Sequence, residues 1–157
     1  MTWNTDVVRR TALIGLAAGL RGSLGVAAPW ISALWLDGPD ADRSSPRPYM
    51  AGAIAMGEII GDKNIGDKKP HAPSRLGPAS VLPRVASGAY GASVLARRSG
   101  GSVSQAFAIG VGASVLGAYV GQRWREEAAQ RGLSDLHAAI AEDAVAVGSA
   151  FAATRSS

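Results

Sequence analysis

Arg21, Glu58, Glu142 and Asp143 are ionisable residues set inside otherwise apolar stretches of this chain. Left unpaired in apolar surroundings each is costly, so residues of this kind carry a default functional reading: ion pairing, or relay of protons or ions. Pairing Arg21 with Glu58, or with a carboxylate of the Glu142-Asp143 doublet, neutralises both partners and makes the charges structural. Relay is the competing chemistry. Neighbouring helix positions point about 100° apart, so Glu142 and Asp143 do not share a face and do not form a carboxylate dyad. Metal ligation lacks company: His71 falls in a Pro-rich stretch, and His137 precedes Glu142 by five residues, not the three or four that put two ligands on one helical face. The chain has no cysteine, which excludes disulfides, thiolate metal sites and thiol nucleophiles. A Gly-x-x-x-Gly spacing within an apolar helix reads as packing and not as a phosphate cradle. These residues predict no enzyme, no cofactor and no metal.

The elements that must position the four charges are apolar blocks. The 157 residues are 47% hydrophobic with 20 Gly, and the apolar residues are gathered in runs instead of alternating with charge. That is the pattern a bilayer selects. The first block, Thr11 to Leu36, has about 26 residues and as one helix would reach roughly 39 Å, enough for a ~30 Å hydrocarbon core. Later blocks run from Tyr49 to Gly61, Arg84 to Ala96, Ser99 to Gln122 and Leu136 to Ala153. Between them lie a Pro/Asp/Ser loop from Asp37 to Pro48, an irregular polar loop over about 62–83, a turn at Gly100-Gly101-Ser102 and a charged connector from Arg123 to Asp135. The expected fold is all-α: a single integral-membrane helical domain over 1–157, a polytopic bundle of about five short Gly/Ala-rich helices. The second and fifth are short enough to be half-helices or re-entrant segments. Arg9-Arg10 before an apolar run has the look of a signal peptide, but the run is too long and Arg21 interrupts it.

The net charge of +4 and pI near 10 come from 16 Lys and Arg that cluster between the blocks and are not interleaved with aromatic residues. They read as membrane-flanking charges, and the chain is expected to bind no nucleic acid. If all five blocks cross, one side receives Arg9, Arg10, Lys63, Lys68, Lys69, Arg75, Arg84, Arg123, Arg125 and Arg131, and the other Arg43, Arg47, Arg97, Arg98 and Arg155. The excess puts the N-terminus in the cytoplasm and the C-terminus outside a multi-pass arrangement. The first and fourth blocks each carry small residues and an arginine (Gly15, Gly19, Arg21; Gly117, Gly121, Arg123), and each is later followed by a helix bearing a carboxylate. With five crossings, equivalence of these pairs implies an inverted repeat; chance likeness among Ala/Gly-rich helices explains it equally.

Small residues also recur at every fourth position: Ala106, Gly110, Ser114 and Ala118; Ala113, Gly117 and Gly121; Gly88, Ala92 and Ala96; Ala144, Gly148 and Ala152. Such stripes let helix backbones approach closely in lipid, either within the chain or against another protein. Leu, Ile, Phe and Val favour insertion by only about 0.3–0.6 kcal/mol each, while one central Arg or Asp opposes it by roughly 2.5–3.5. A mean hydropathy of only +0.11 then suggests helices short of lipid-compatible surface that prefer protein neighbours. The expectation is an accessory, non-catalytic subunit held against membrane lipid and another integral-membrane protein; the alternative is a small self-contained transporter or channel using the buried charges.

One further pattern concerns Glu58-Ile59-Ile60-Gly61-Asp62-Lys63, then Pro70-His71-Ala72-Pro73-Ser74-Arg75, Arg84-Val85-Ala86-Ser87-Gly88-Ala89, Gly117-Ala118-Tyr119-Val120-Gly121-Gln122-Arg123, and Glu142-Asp143. Over most of the chain this resembles a family of small bacterial inner-membrane proteins described as a domain of unknown function. It departs where Asp67-Lys68 repeats the Asp62-Lys63 pair. The resemblance implies a compact helical fold in the bacterial inner (plasma) membrane and no established activity. The chain is similar in style to accessory subunits beside large transporters, including Mce-type lipid importers, which implies permease subunits as partners and lipid transport as the process served.

Overall fold

The apolar blocks are helical, but their divisions differ from those the pattern suggests. The computed structural model describes residues 5–36, 44–65 and 76–155, and among them it has six helices and no strand: α1 (Thr5–Leu20), α2 (Leu24–Leu36), α3 (Arg47–Ile65), α4 (Pro78–Arg98), α5 (Val103–Gln130) and α6 (Asp135–Thr154). Local chemistry sets the boundaries. Pro78 opens α4 at a position whose N–H has no partner in any helix. Ser102 and Ser134 cap α5 and α6 by accepting from the Gln105 and His137 amides at 3.5 and 3.4 Å. α4 and α5 stop on glycines with left-handed backbone, Gly100 (φ 66°) and Gly132 (φ 73°). The following amides of Gly101 and Leu133 then turn back to the carbonyls of Ala96 (2.8 Å) and Ala128 (2.9 Å).

Three expectations are corrected. The first block is not one long helix: it breaks at Arg21-Gly22-Ser23 into α1 and α2, because Gly-Ser after a charged residue is a turn sequence that the surrounding apolarity hides. The polar loop is shorter than 62–83, since α3 continues to Ile65 and α4 already starts at Pro78. The charged connector is largely helix: Glu126, Glu127, Ala128, Ala129 and Gln130 are good helix formers and extend α5 as far as Gln130.

The break reverses the chain. A Cβ on Gly15 would meet Gly110 and Ala113, and one on Gly19 would meet Ser114, Gly117 and Ala118, so α1 and α5 run parallel. α4 and α6 oppose them: Arg84 near the start of α4 reaches the end of α1, Ser99 after its end meets Arg10, and α6 places Asp143 beside Arg21 but Ala153 beside Arg10. α2 returns along α4, with Gly25 against Ser87 and Gly91, and the Pro29 carbonyl accepting from Arg98 at 2.8 Å. α3 reverses once more, from Arg47 over the Trp30 ring to Glu58 at the α1–α2 break. All six helices therefore alternate in direction. The start of α1 and the end of α6 lie at one end of the bundle, together with Arg97 and Arg98, which overturns the expected placement of the termini on opposite sides. The parallel course of α1 and α5 also removes the inverted repeat built on their equivalence.

α1 is central and packs on α4, α5 and α6. The interior is small: of the 21 buried hydrophobic residues among those described, 16 are alanine, and the larger ones are Val7, Ile14, Leu20, Leu24 and Leu95. Among the described residues twenty large apolar side chains face outward, including Met50, Ile54, Leu82, Phe107, Leu116 and Phe151, each more than half exposed. Low mean hydropathy therefore does not mean a bare exterior, because the small residues were spent inside. By length and apolarity two helices, α5 and α6, are able to cross a membrane, fewer than about five; α2 is apolar but short.

Candidate functional site

Buried Arg21 and half-buried Ser23, Glu58 and Arg84 gather around the α1–α2 break, and the last three serve backbone groups that the break leaves open. Ending α1 strands carbonyls at its C-terminus, and starting α2 strands amides. Arg84 of α4 donates through Nη1 to the Gly19 and Leu20 carbonyls at 2.8 and 3.1 Å, closing the end of α1 with a cation where the helix dipole favours one. Glu58 of α3 accepts from the Gly22 amide at 3.0 Å, from the Ser23 amide at 2.8 Å and from the Ser23 hydroxyl, closing the start of α2 with an anion. Gly22 lies between these two side chains; a Cβ there would sit 3.3 Å from Arg84 Cγ and 3.6 Å from Glu58 Oε1.

Arg21 itself points the other way. Its side chain is 1% exposed, and Nε donates to Asp143 Oδ1 of α6 at 2.5 Å. Glu142, the adjacent residue, turns to Arg125 of α5 at 2.8 Å, and Arg125 also holds Asp135 at 2.7 Å. Of the alternatives open for Arg21, the structure takes the fifth-block carboxylate and gives Glu58 to the backbone. The Glu142-Asp143 doublet splits between two arginines as the helical spacing requires.

The small residues are likewise accounted for. Gly15, Gly19, Gly88, Ala92, Gly110, Ser114 and Gly117 form one seam where α1, α4 and α5 meet. Cβ atoms on Gly15 and Gly110 would come within 2.8 and 2.7 Å of neighbouring carbonyls, and the Ser114 hydroxyl donates at 3.1 Å to Gly15 across the seam. Gly121 is buried on α5 beside Leu20 and Glu142. Gly148 stands apart: a Cβ there meets nothing within 4 Å, and Ala144 and Ala152 on the same stripe are exposed. Of the motif loop, Asp62 and Lys63 fall in the last turns of α3, while Asp67, Lys68, Pro70, His71, Pro73, Ser74 and Arg75 lie outside the described residues.

Arg84, Arg125 and Ser23 are the partners that sequence reasoning missed. Arg84 opened the block Arg84 to Ala96 and was counted as a membrane-flanking charge; nothing in its position named the end of α1 as its partner. A cleft of about 450 Å³ opens on the break, lined by Gly22, Ser23, Val26, Ile54, Glu58 and Ser87 among others. Its lining is mostly hydrocarbon, and no group of three or more metal-ligating side chains occurs among the described residues. The cluster clamps a reversal of the backbone. Glu58→Ala should therefore cost stability: a loss of about 1–2 kcal/mol is expected, with faster amide exchange at Gly22 and Ser23, and Glu58→Gln should retain part of the cap. Unchanged exchange at those two amides would show that the cap does not hold the turn. Comparison with family models, with curated proteins and with solved structures finds no match for this chain.

Proposed function

We propose that the chain is a small multi-pass protein of the bacterial inner membrane that acts as a non-catalytic accessory subunit of a larger membrane assembly. The observation that carries this reading is the inverted sorting of side chains: alanine, glycine and serine inside, and twenty large apolar residues outside. In water, an exterior of that kind over α3, α5 and α6 drives aggregation; in lipid it is the solvated state, and small interior residues are what lets helices associate there. The accessory role draws on a small-residue stripe of α6 that faces outward, Ala144, Gly148 and Ala152. Within the bundle such stripes are filled by other helices, and here the corresponding neighbour is supplied by another integral-membrane protein; the permease subunits implied by the resemblance are the first to look for. The competing transporter reading asks Arg21, Glu58 and Glu142 to move ions, whereas all three are tied to helix ends or to counter-charges.

Two measurements test the proposal in order. The protein should sediment with membranes and resist carbonate extraction; recovery in the supernatant after ultracentrifugation without surfactant would end the membrane reading. Purified in mild detergent from its native host, it should bring a membrane protein with it, and Gly148→Leu should remove that partner while leaving the thermal midpoint of the isolated protein within a few degrees. A lone monodisperse species from unmodified protein would leave no place for an accessory role.

A further inference from the structure

The outer surface carries one groove whose walls and mouth differ in a way that specifies an occupant. It lies between α2 and α6, has a volume of about 390 Å³, and is walled by Leu24, Ala28, Ile31, Val147, Ala150 and Phe151. Two hydroxyls also border it, and both are turned away: Ser32 donates to the Pro29 carbonyl at 3.1 Å, and Thr154 to the Ala150 and Phe151 carbonyls at 3.2 and 3.0 Å. What remains along the groove is hydrocarbon, with Arg155 as its one charged border, its guanidinium 5.0 Å from the centroid of the half-exposed Phe151 ring. The groove runs with the helix axes, because α2 and α6 point the same way.

The end of the bundle at which Arg155 sits is basic. Arg10 donates to the Ala153 carbonyl at 2.8 Å and to Ser99 at 3.0 Å, Arg98 donates to the Pro29 carbonyl, and Arg9 and Arg97 lie on the adjoining turns. Among the described residues at this end Asp6 is acidic, and it lies 2.6 Å from Arg9 and 4.0 Å from Arg10. An occupant that matches such a site has an apolar tail lying along the helices and an anionic head at the Arg155 end. Charge selects among apolar occupants: a lipid of net negative charge offers Arg155 an anion, whereas a zwitterionic lipid brings a cation of its own to compete for the phosphate.

We propose that the α2–α6 groove binds one acyl chain of an anionic bilayer phospholipid, with the headgroup phosphate accepting from Arg155. The site rests on the membrane reading above, since it takes its ligand from the bilayer. Phosphate recognition by a planar guanidinium is a strong, directional contact, and a basic residue near a charged membrane contributes a factor of about five in affinity.

The test uses the full chain purified in mild detergent and titrated with phosphatidylglycerol or phosphatidylcholine, with adducts counted by native mass spectrometry. Unmodified protein should retain phosphatidylglycerol about fivefold better than phosphatidylcholine. Arg155→Gln, an exposed change that leaves the packing intact, should equalise the two lipids. Val147→Trp, at the exposed rim of the groove, should lower retention of both by at least tenfold. Equal retention of the two lipids by unmodified protein, or an unaltered preference in Arg155→Gln, overturns the proposal. So does full retention in Val147→Trp. A protein that pellets with membranes yet gives any of these results loses the lipid site alone, whereas one that never pellets fails at the membrane reading first.

Discussion

Asp143→Leu is expected to destabilise the bundle by about 3–5 kcal/mol, the largest effect of any single charge change in the molecule. The reason is asymmetry of cost. Arg21 is 1% exposed at a point where α1 has ended, and its Nε lies 2.5 Å from Asp143 Oδ1. Removing the carboxylate takes away the counter-charge that Nε faces in low-dielectric surroundings, and Arg does not relieve this by losing its proton. Replacing both residues, as Arg21→Met with Asp143→Leu, should return stability to within about 1 kcal/mol of the starting protein, since both charges then leave together. Reversible unfolding in mixed detergent micelles gives all corners of the double-mutant cycle. A single variant as stable as the parent would show that water or lipid headgroups, and not α6, neutralise Arg21.

Gly19→Ala should cost about 3 kcal/mol, a large effect for one methyl group. A Cβ there overlaps the Ser114 carbonyl and lies 2.8 Å from the Ala118 amide and from the Gly117 Cα, and backbone cannot turn aside as a side chain can. α1 and α5 would have to separate, and α4, which shares the seam at Gly88, would move with them. Gly148→Ala supplies the control: the same methyl on α6 meets nothing within 4 Å, so stability should hold or rise by up to about 1 kcal/mol through better helix propensity. The two thermal midpoints, compared in one detergent, decide the matter. If both alanine variants behave alike, close approach at Gly19 is not what holds α1 to α5.

The contrast between these glycines shows how far the sequence could be read. Small residues at every fourth position identified the packing faces, because that spacing keeps them on one side of a helix whatever it packs against. Which stripe turned inward was not legible: Ala144-Gly148-Ala152 and Gly88-Ala92-Ala96 have the same pattern, and only the tertiary arrangement exposes one and buries the other. The four charges, Arg21, Glu58, Glu142 and Asp143, were visible as exceptions to apolar runs. Their partners were not, because Arg84 and Arg125 sat in stretches that looked like polar connectors. The costliest omission was the turn at Arg21-Gly22-Ser23. Hydropathy averaged over the first block masks three polar positions, and a missed reversal inverts every later assignment of sides. Counting lysines and arginines cannot repair this, since the count is divided by the number of crossings assumed.

The neighbouring ends of α1 and α6 have a bearing on how this bundle can be joined to other chains. With Arg10 hydrogen-bonded to the carbonyl of Ala153, polypeptide attached ahead of α1 and polypeptide attached after α6 leave the same end of the bundle, which under the proposed membrane placement is one compartment. Reporter fusions at the two positions should therefore give identical activities, either both cytoplasmic or both exported. The same geometry permits head-to-tail duplication without an extra crossing, each copy keeping the orientation of the first.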